Sequence, residues 1–411
     1  MQTKIRMTTV ALLLFISVGT RAQQNAGSAR DAFQADGTNV SENVAQLIQE
    51  IEAPQVPYRQ GLDGLTLQEV MEHFHTPGVS VAVIKDFKVH WAKGYGIADG
   101  STGRPVQVDT LFQAASISKP VMAMAALRLV QEGRFSLDDD VNNLLKSWRV
   151  PESDLTRDQA VTPRSLLSHT SGSDDAFGFP GYDPGVLLPS LVQILNGQPP
   201  SNRGPVLFKR RPYQAYKYSG GGIVIMQVLL GDLTGESFAG MMERIILGPL
   251  GLKNSTYQQP LPESLASRAA RAHNEEGKES AVPWHLYPEQ AAAGLWTTPS
   301  DLARVAIELQ RALRGPSGSI LNESTAREMI APTGSGPFAI GFEISKRGEG
   351  WYFSHSGGNW GFQCHLLAHV RKGYGVVIMT NGNGGGQVID EIESRVAAAY
   401  HWDSLDKPLF R

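Results

Sequence analysis

The stretch Ala115-Ser116-Ile117-Ser118-Lys119-Pro120 stands immediately before a long apolar run, Val121–Val130. This run is apolar on nearly all sides until Arg128, which predicts a buried helix with Ser116 at its N-terminus. Free N–H groups and the helix dipole favour developing negative charge at that end. Residues i and i+3 share a helix face, so Lys119 is predicted to lie beside the Ser116 hydroxyl. A lysine in a partly dry site can lose its proton and accept that of a serine, so the stretch predicts an activated nucleophile.

The composition is that of an ordinary globular protein, with 41% hydrophobic and 19% charged residues in a chain of 411. The length predicts two or three domains, or one large core with an insertion. The formal net charge of -3 does not indicate nucleic acid or an anionic membrane surface as a partner. The single cysteine, Cys364, has no partner for an internal disulfide. We interpret it as a small, buried apolar residue.

The N-terminus differs from the rest of the chain. Lys4 and Arg6 precede an apolar core, Val10–Val18, and Thr20-Arg21-Ala22 places small residues at the two positions that decide signal cleavage. This pattern predicts a secretory signal peptide over residues 1–22. The apolar core is too short for a membrane span. We therefore expect a periplasmic or secreted protein that leaves the membrane after cleavage.

Sequence patterns typical of strands lie at both ends of the remaining chain, and patterns typical of helices lie in the middle. The first predicted part is a mobile segment over 23–60 with a short helix at Val44–Ile51. The second is one catalytic domain over 61–405. Its sheet part is predicted at about 61–115 and 285–405, and its helical part at about 116–284. Antiparallel hairpins from the two ends are expected to form one sheet. A site is then expected in the cleft where the helical part begins.

The individual elements follow from hydrophobic periodicity and from turn residues. The predicted strands are Val79–Ile84, Val89–Tyr95, Ala339–Ile344, Gly350–Ser354, Phe362–Val370 and Tyr374–Asn381. Besides Val121–Val130, the predicted helices are Leu65–Phe74, Gly222–Leu233, Phe238–Leu247, Leu302–Leu313 and Val388–Tyr400. The Gly/Pro-rich loop Ser173–Pro184 is predicted to be functional or disordered, because long loops are uncommon in compact domains.

Two later motifs supply candidate partners for Ser116. Tyr218 precedes a run of glycines, and its pKa is expected to fall beside two lysines, so that it can shuttle a proton. After the predicted strand ending at Ser354, glycines in His355-Ser356-Gly357-Gly358-Asn359 allow backbone N–H groups to approach a substrate carbonyl. The N–H groups of Gly358 and Ser116 are the predicted oxyanion hole. His355 or Ser356 is predicted to hold a substrate carboxylate or polar group.

Taken separately, these motifs have simpler interpretations, namely an N-cap serine, a loop tyrosine and a glycine turn. Their order along one chain resembles the penicillin-recognising serine hydrolases: the class C β-lactamases, penicillin-binding proteins, serine esterases and D-amino-acid-specific peptidases. The resemblance covers about Leu65 to Tyr400. Further matching stretches are Pro77–Val83, Leu166–Gly172, Pro249–Leu252 and Gly294–Leu302.

The resemblance implies an α+β fold of the β-lactamase/transpeptidase type, with an antiparallel sheet flanked by helices and an inserted all-helical domain. It also implies an acyl-enzyme, in which Ser116 is the nucleophile and Lys119 its activator. Tyr218 takes the role of general base in acylation and deacylation, and His355 stands beside the site. Lys217 matches no family role, and we expect it to be a surface residue.

Two positions depart from the β-lactamase pattern. Gly220 replaces the Asn of Tyr-x-Asn, which holds the substrate's side-chain amide. His355 replaces the Lys of Lys-Thr-Gly, and it is largely neutral near pH 7. The loss of each contact is expected to cost about 1–3 kcal/mol in substrate binding. Gly220, His355, Ser356 and Gly357 together form the predicted substrate-binding set.

We therefore expect an exported serine hydrolase that acts without a cofactor on a small molecule or peptide. The predicted bond is an ester, an amide or a D-amino-acid peptide bond, and an esterase is favoured over an efficient β-lactamase. A class C-type β-lactamase and a D-Ala-D-Ala carboxypeptidase remain alternatives, as does a penicillin-binding sensor that is acylated without turnover. A metal hydrolase is disfavoured because His365 and His369 lie on a predicted strand without a His-Glu-x-x-His arrangement. An α/β-hydrolase is disfavoured because no Gly-x-Ser-x-Gly is present.

Overall fold

The computed structural model describes residues 39–55, 61–175, 178–315, 318–348 and 350–402. The chain divides into two units, Met1–Gln46 and Leu47–Arg411. The described part of the first unit is the beginning of helix α1 (Asn39–Glu52), which contains the predicted helix Val44–Ile51. The second unit holds all the elements that follow. The predicted signal peptide, residues 1–22, lies outside the described residues, as do residues 23–38 and 56–60 of the predicted mobile segment.

One antiparallel sheet of seven strands organises the second unit. The strands of the described chain are β1 (Gly78–Lys85), β2 (Lys88–Asp99), β3 (Arg104–Pro105), β4 (Phe112–Gln113), β5 (Trp296–Thr297), β6 (Glu343–Arg347), β7 (Gly350–Asn359), β8 (Phe362–His369) and β9 (Gly375–Thr380). The large sheet has the order β3-β2-β1-β9-β8-β7-β6, and β4 pairs with β5 separately. Because β1 pairs with β9, the two ends of the chain share one sheet, which confirms the predicted α+β architecture.

The helices lie mostly between the two parts of this sheet. After α1 they are α2 (Leu67–His73), α3 (Ser118–Gln131), α4 (Val141–Leu144), α5 (Pro163–Leu167), α6 (Leu191–Asn196), α7 (Gly220–Thr234), α8 (Phe238–Met242), α9 (Glu263–Ala266), α10 (Gln290–Ala293), α11 (Pro299–Ala312), α12 (Glu323–Met329) and α13 (Gly385–Ala399). The helices predicted from periodicity are all present, with ends shifted by a few residues. A π-helical turn, Glu243–Leu247, continues α8 to the predicted end.

Two strand predictions need correction. The strand expected at Ala339–Ile344 lies instead at Glu343–Arg347, because Gly341 adopts a left-handed φ of 84° and breaks the extended chain. A side chain at Gly341 would meet Ala123 Cβ at 2.8 Å, so glycine also allows this turn to pack on α3. Strand β7 does not end at Ser354, since β8 pairs with it as far as Asn359. His355 and its glycines therefore belong to the strand itself.

Helices α3 and α7 form the centre of the helical part. Every residue from Ser118 to Leu127 of α3 is buried, as is every residue from Gly220 to Leu230 of α7. Such helices are apolar on all sides because they pack on all sides. The prediction of a buried helix after Ser116 is confirmed. Within the described residues, no single helix has the length and hydropathy of a membrane span, and only the bent pair Gly220–Thr234 with Phe238–Leu247 reaches them when counted together.

The sheet separates two apolar layers and places its β7 edge beside the start of α3. Ala82 and Ile84 of β1 share one apolar cluster with Leu302 of α11, whereas α13 packs against β8 and β9. Strand β6 pairs with β7 only as far as Ser354. No described strand pairs with the rest of β7 on that side, and Gly357 lies against the turn that carries Ser116. The sheet and the helical part therefore meet at the nucleophile.

Candidate active site

Ser116 lies in a 3₁₀ turn, Ala115–Ile117, directly before α3. Ala115 has a φ of 45°, a left-handed conformation that is uncommon for a residue with a Cβ. The turn is held by Ser118, whose hydroxyl donates to Ala115 O at 2.6 Å and accepts from the Leu295 N–H at 3.0 Å. Strained backbone that persists in this way is concentrated at functional sites. The structure thus places Ser116 at the start of the buried helix, as predicted.

Lys119 reaches back to the Ser116 hydroxyl. Its Nζ lies 2.8 Å from Ser116 Oγ and 2.8 Å from Ala292 O. Because a carbonyl oxygen only accepts, the amine donates to Ala292, and a neutral amine keeps its lone pair for the serine proton. Burial lowers the pKa of Lys119 to about 7, although the Asp175 carboxylate opposes this shift. The predicted adjacency of Ser116 and Lys119 is confirmed, and the lysine can act as a base near neutral pH.

Tyr218 completes this side of the site from the residue before the N-cap of α7. Its ring lies 5.1 Å from Lys119 Nζ, and its hydroxyl is hydrogen-bonded to Ser116. Burial raises the pKa of Tyr218 well above its usual range, and this effect outweighs the hydrogen bond from Ser116. The expected fall in the pKa of Tyr218 is therefore wrong. With a pKa of about 7, Lys119 is only partly charged near neutral pH. Lys217 is exposed, and its Nζ lies 3.9 Å from an Asp174 oxygen, so neither lysine offsets the effect of burial on the pKa of Tyr218.

His355 is held as a neutral imidazole with one defined tautomer. Its Nδ1 lies 2.6 Å from Ser356 O, so Nδ1 carries the hydrogen and Nε2 is left as an acceptor. Burial and the nearby Lys119 lower the pKa of His355 to about 3. The side chain is 3% exposed, and Nε2 has no partner among the described residues. Of the two groups predicted to bind here, a carboxylate is disfavoured and a hydrogen-bond donor fits.

Ser356 is exposed and points away from His355, because side chains alternate along a strand. Its Oγ lies 2.8 Å from Nδ1 of His365 on β8. The Nε2 of His365 lies 3.2 Å from Glu393 Oε2, and Arg347 donates to the same carboxylate at 2.6 Å. This chain of bonds ties Ser356 to its neighbouring strands and to α13. Its role in substrate binding stays a prediction.

The three glycines of the predicted site lie in different surroundings. A Cβ on Gly357 would lie 2.5 Å from Ala114 O and 3.0 Å from Ser116 N, so only glycine lets β7 approach the nucleophile this closely. Gly358 follows on the exposed part of the strand, and its pairing with the Ser116 N–H as an oxyanion hole stays a prediction. Gly220 is buried, and a Cβ there would meet the Phe179 ring at 2.7 Å. Gly220 therefore accommodates the Phe179 ring, and its role in substrate binding stays a prediction.

Three groups near the nucleophile were missed by the motif analysis. Asp175 accepts from the Ser219 hydroxyl and from the Gly221 N–H, the latter at 2.7 Å, and its charge raises the pKa of Lys119. Its signal was the loop Ser173–Pro184, which was predicted to be functional or disordered, without an assigned residue. His169 lies in the matching stretch Leu166–Gly172, and its ring centroid is 4.2 Å from that of Tyr218. Phe338 packs at 5.7 Å from the Tyr218 ring, and nothing in its local sequence marks it.

Glu289 is a further titratable group close to this region. It directly precedes α10, the helix whose Ala292 carbonyl binds Lys119. The residue is fully buried, and neither carboxyl oxygen has a partner among the described residues. Burial raises the pKa of Glu289 to about 7. Any pH dependence near neutrality must therefore be separated into contributions of Lys119 and Glu289.

Strand β8 carries the cysteine and the histidines that could have indicated a thiol nucleophile or a metal site, and their side chains have other partners. Cys364 is 2% exposed, and its thiol donates to Ala114 O at 3.0 Å, which confirms a buried cysteine. His369 Nδ1 accepts from two backbone N–H groups, those of Arg371 and Lys372, at 2.9 and 3.0 Å. In the described ranges, no group of three or more His, Cys, Asp or Glu side chains is arranged to hold a metal ion.

Residues 65–400 match the family model described as Beta-lactamase. The chain belongs to the β-lactamase family. The family consists of serine hydrolases, and its fold agrees with the antiparallel sheet and helical part described above. The match begins at Leu65 and ends at Tyr400, the same limits that the sequence motifs indicated.

Two curated proteins and one solved structure illustrate what the chain is similar to. Protein flp of Staphylococcus aureus (strain MW2) is 24% identical over 337 residues, which cover 77% of this chain and 62% of flp, so the chain spans less than two thirds of that relative. Esterase EstB of Burkholderia gladioli is 26% identical over 306 residues, covering 68% of this chain and 74% of EstB. The crystal structure of D-amino acid amidase from Ochrobactrum anthropi SV3, complexed with L-phenylalanine, superposes with a TM-score of 0.66 at 21% identity, covering 87% and 98% of the two chains. At that identity the likeness shows the fold alone.

Proposed function

We propose that this protein is an acyl-enzyme serine hydrolase of uncharged esters or amides, with Ser116 as nucleophile and Lys119 as base. The observation that carries the proposal is the 2.8 Å contact between Lys119 Nζ and Ser116 Oγ in a buried site. Burial that brings the pKa of Lys119 to about 7 supplies the base with a lone pair at neutral pH. Esterase EstB, among the relatives, is named for ester chemistry.

In acylation, Ser116 Oγ attacks the substrate carbonyl carbon while its proton passes to Lys119 Nζ. The carbonyl oxygen becomes an oxyanion, which the N–H groups of Ser116 and Gly358 stabilise. The bond to the leaving group then breaks and leaves an ester on Ser116. The leaving group takes a proton from the Tyr218 hydroxyl, which recovers one from Lys119.

In deacylation, water attacks the Ser116 ester and gives up a proton through the same groups. Tyr218 keeps its hydroxyl proton between steps, because burial raises the pKa of Tyr218 above its usual range. We therefore assign the base to Lys119 and the proton relay to Tyr218, rather than a phenolate base. The cycle returns Ser116 and Lys119 to their starting protonation states and consumes one water.

Substrate preference follows from the β7 side of the site. His355 Nε2 is a neutral acceptor, and it suits a substrate N–H or O–H group better than a carboxylate. Phe179 fills the space in front of Gly220, where the β-lactamase pattern has an amide side chain. Both features favour an ester or amide without a required carboxylate over a β-lactam or a peptide ending in D-Ala. We also propose export, on the basis of the predicted signal peptide over 1–22.

The test uses the protein without residues 1–22, assayed against a short-chain nitrophenyl ester, a chromogenic cephalosporin and a D-Ala-D-Ala peptide, with Ser116→Ala as control. We expect turnover of the ester that Ser116→Ala abolishes, and much slower turnover of the other two. Fast cephalosporin or peptide turnover overturns the assigned preference. A stable adduct on Ser116 without turnover points to the sensor. N-terminal sequencing of the protein from the periplasm or medium tests export.

A further inference from the structure

His169 occupies a position where a helix normally ends in glycine. Helix α5 stops at Leu167, Ser168 is its cap, and His169 follows with a φ of 58°. The Thr170 N–H closes the turn by donating to Ser165 O at 2.8 Å. At this position a left-handed glycine carries no Cβ penalty, whereas histidine does. The local backbone therefore gives no reason for an imidazole here.

The reason lies in the segment that carries Tyr218. The carbonyl of His169 accepts from the Lys217 N–H at 2.8 Å, and its Nδ1 accepts from the Ser219 N–H at 3.2 Å. These bonds hold the backbone on both sides of Tyr218. Between them the imidazole lies 4.2 Å from the Tyr218 ring, with 32° between the planes. One residue thus fixes the backbone before and after Tyr218 and covers the face of its ring.

The chemistry of the imidazole is defined by the same contacts. Because Nδ1 accepts from Ser219, the hydrogen of neutral His169 is on Nε2. Burial and the charge of Lys119 lower the pKa of His169 well below its usual value, so the ring stays neutral and Nδ1 stays an acceptor. The residue is 1% exposed, and Nε2 has no partner among the described residues. Phe338 packs edge-on against the ring at 5.0 Å and leaves it little room to turn.

We propose that His169 is a positioning residue that holds the Tyr218 hydroxyl at the Ser116 nucleophile. The inference rests on the proposed function, in which Tyr218 relays the proton. A histidine kept only to end α5 would be equivalent to Asn or Gly, both of which tolerate its backbone conformation. If His169 positions Tyr218, neither Asn nor Gly can replace it, because both lack the ring that covers Tyr218.

The experiment compares His169→Asn with the wild type. Asn tolerates the left-handed φ, and its side-chain oxygen can replace Nδ1 as the acceptor for Ser219, so the fold is retained while the ring is removed. We expect kcat on the nitrophenyl ester to fall about 10–100-fold with KM little changed, because a displaced catalytic group costs rate and not binding. His369→Asn is the matched control. His369 is a buried histidine of β8 whose Nδ1 also accepts backbone N–H groups, and we expect its replacement to leave kcat unchanged.

A double-mutant cycle with Tyr218→Phe gives a readout that a structural role would not produce. If His169 acts through the Tyr218 hydroxyl, His169→Asn in the Tyr218→Phe background lowers kcat by no more than about twofold. A loss that adds fully to that of Tyr218→Phe overturns the proposal, as does a kcat of His169→Asn equal to that of the wild type. His169→Gly removes the ring with the residue best suited to this φ, and it repeats the test if the Asn variant is unstable.

A crystal structure of His169→Asn keeps the test independent of activity. We expect the Tyr218 ring to move away from the Ser116 hydroxyl. A ring that stays in place overturns the positioning role even if the wild type has no hydrolase activity. A displaced ring supports the positioning role even if the wild type has no hydrolase activity. Failure of this inference and failure of the proposed function are therefore distinguishable.

Discussion

The Ser116 side and the β7 side of the site achieve their properties in different ways. On the Ser116 side, nucleophile and base are three residues apart on one turn, and the helix geometry itself brings Lys119 Nζ to 2.8 Å from Ser116 Oγ. On the β7 side, His355 takes its tautomer from the Ser356 carbonyl and its neutrality from burial. The first side is thus set by local spacing and the second by packing. The Ser116 side is expected to determine rate, and the β7 side the choice of substrate.

The largest expected effect tests the Ser116 side. Lys119→Met removes the base and keeps a side chain of similar length, and we expect kcat/KM on a nitrophenyl ester to fall about a thousandfold or more. Lys217→Met is the matched control, because Lys217 is exposed and its ion pair with Asp174 is long, at 3.9 Å. We expect this control to retain wild-type kcat/KM. Equal losses in both variants would mean that proximity on the turn does not define the base.

The next prediction concerns pH. Lys119 must be neutral to accept the serine proton, so kcat/KM is expected to fall below pH about 7 as Lys119 becomes protonated. On this acidic limb of the pH–rate profile, kcat/KM is expected to fall about tenfold per pH unit. Well above pH 7 the lysine is neutral, and kcat/KM is expected to level off. The measurement is a pH–rate profile of kcat/KM on an ester without ionisable groups.

Glu289→Gln separates the two groups that titrate in this range. Burial raises the pKa of Glu289 to about 7, so its ionisation falls in the same window as that of Lys119. If Lys119 is the base, the Gln variant keeps the limb near pH 7. Loss of the limb in this variant would assign it to Glu289 and leave Lys119 without a measured role.

A smaller effect is expected on the β7 side. His355→Lys restores the cation of the β-lactamase pattern, and we expect the ratio of kcat/KM for a carboxylate-bearing ester over its neutral analogue to rise about tenfold. His355→Gln is the control, since its amide keeps a neutral side chain close to the position of Nε2. It should leave the ratio near that of the wild type. An unchanged ratio in the Lys variant would show that β7 does not select charge.

The smallest effect tests the electrostatic link between Lys119 and Asp175 of the loop Ser173–Pro184. The Asp175 carboxylate raises the pKa of Lys119, so Asp175→Asn is expected to move the acidic limb of kcat/KM to lower pH by a fraction of a unit. Asp174→Asn provides the comparison, because Asp174 faces Arg210 and Lys217 instead. A shift to higher pH in the Asp175 variant would contradict the assignment.

The sequence predicted those features of the site that depend on residues close together in the chain. The spacing of Ser116 and Lys119 and the apolar run behind them were sufficient for the nucleophile, because a helix turn has one geometry. The glycines at 357 and 358 were predicted to let backbone N–H groups approach a substrate carbonyl, whereas the structure shows that Gly357 lets β7 approach Ala114 and Ser116. The pKa of Tyr218 was predicted in the wrong direction. Its burial depends on His169 and Phe338, which come from distant parts of the chain.

The amino-acid sequence by itself determined the order of the longer strands and helices, the buried helix after Ser116 and the membership of a serine hydrolase family. These properties depend on periodicity, turn residues and short spacing, which operate within one element. The tertiary structure alone decided that Gly220 lies against Phe179 and that His355 is a neutral acceptor. It also decided that His169 binds the backbone on both sides of Tyr218. Burial and hydrogen-bond partners set those properties, and both arise only when separate elements pack together.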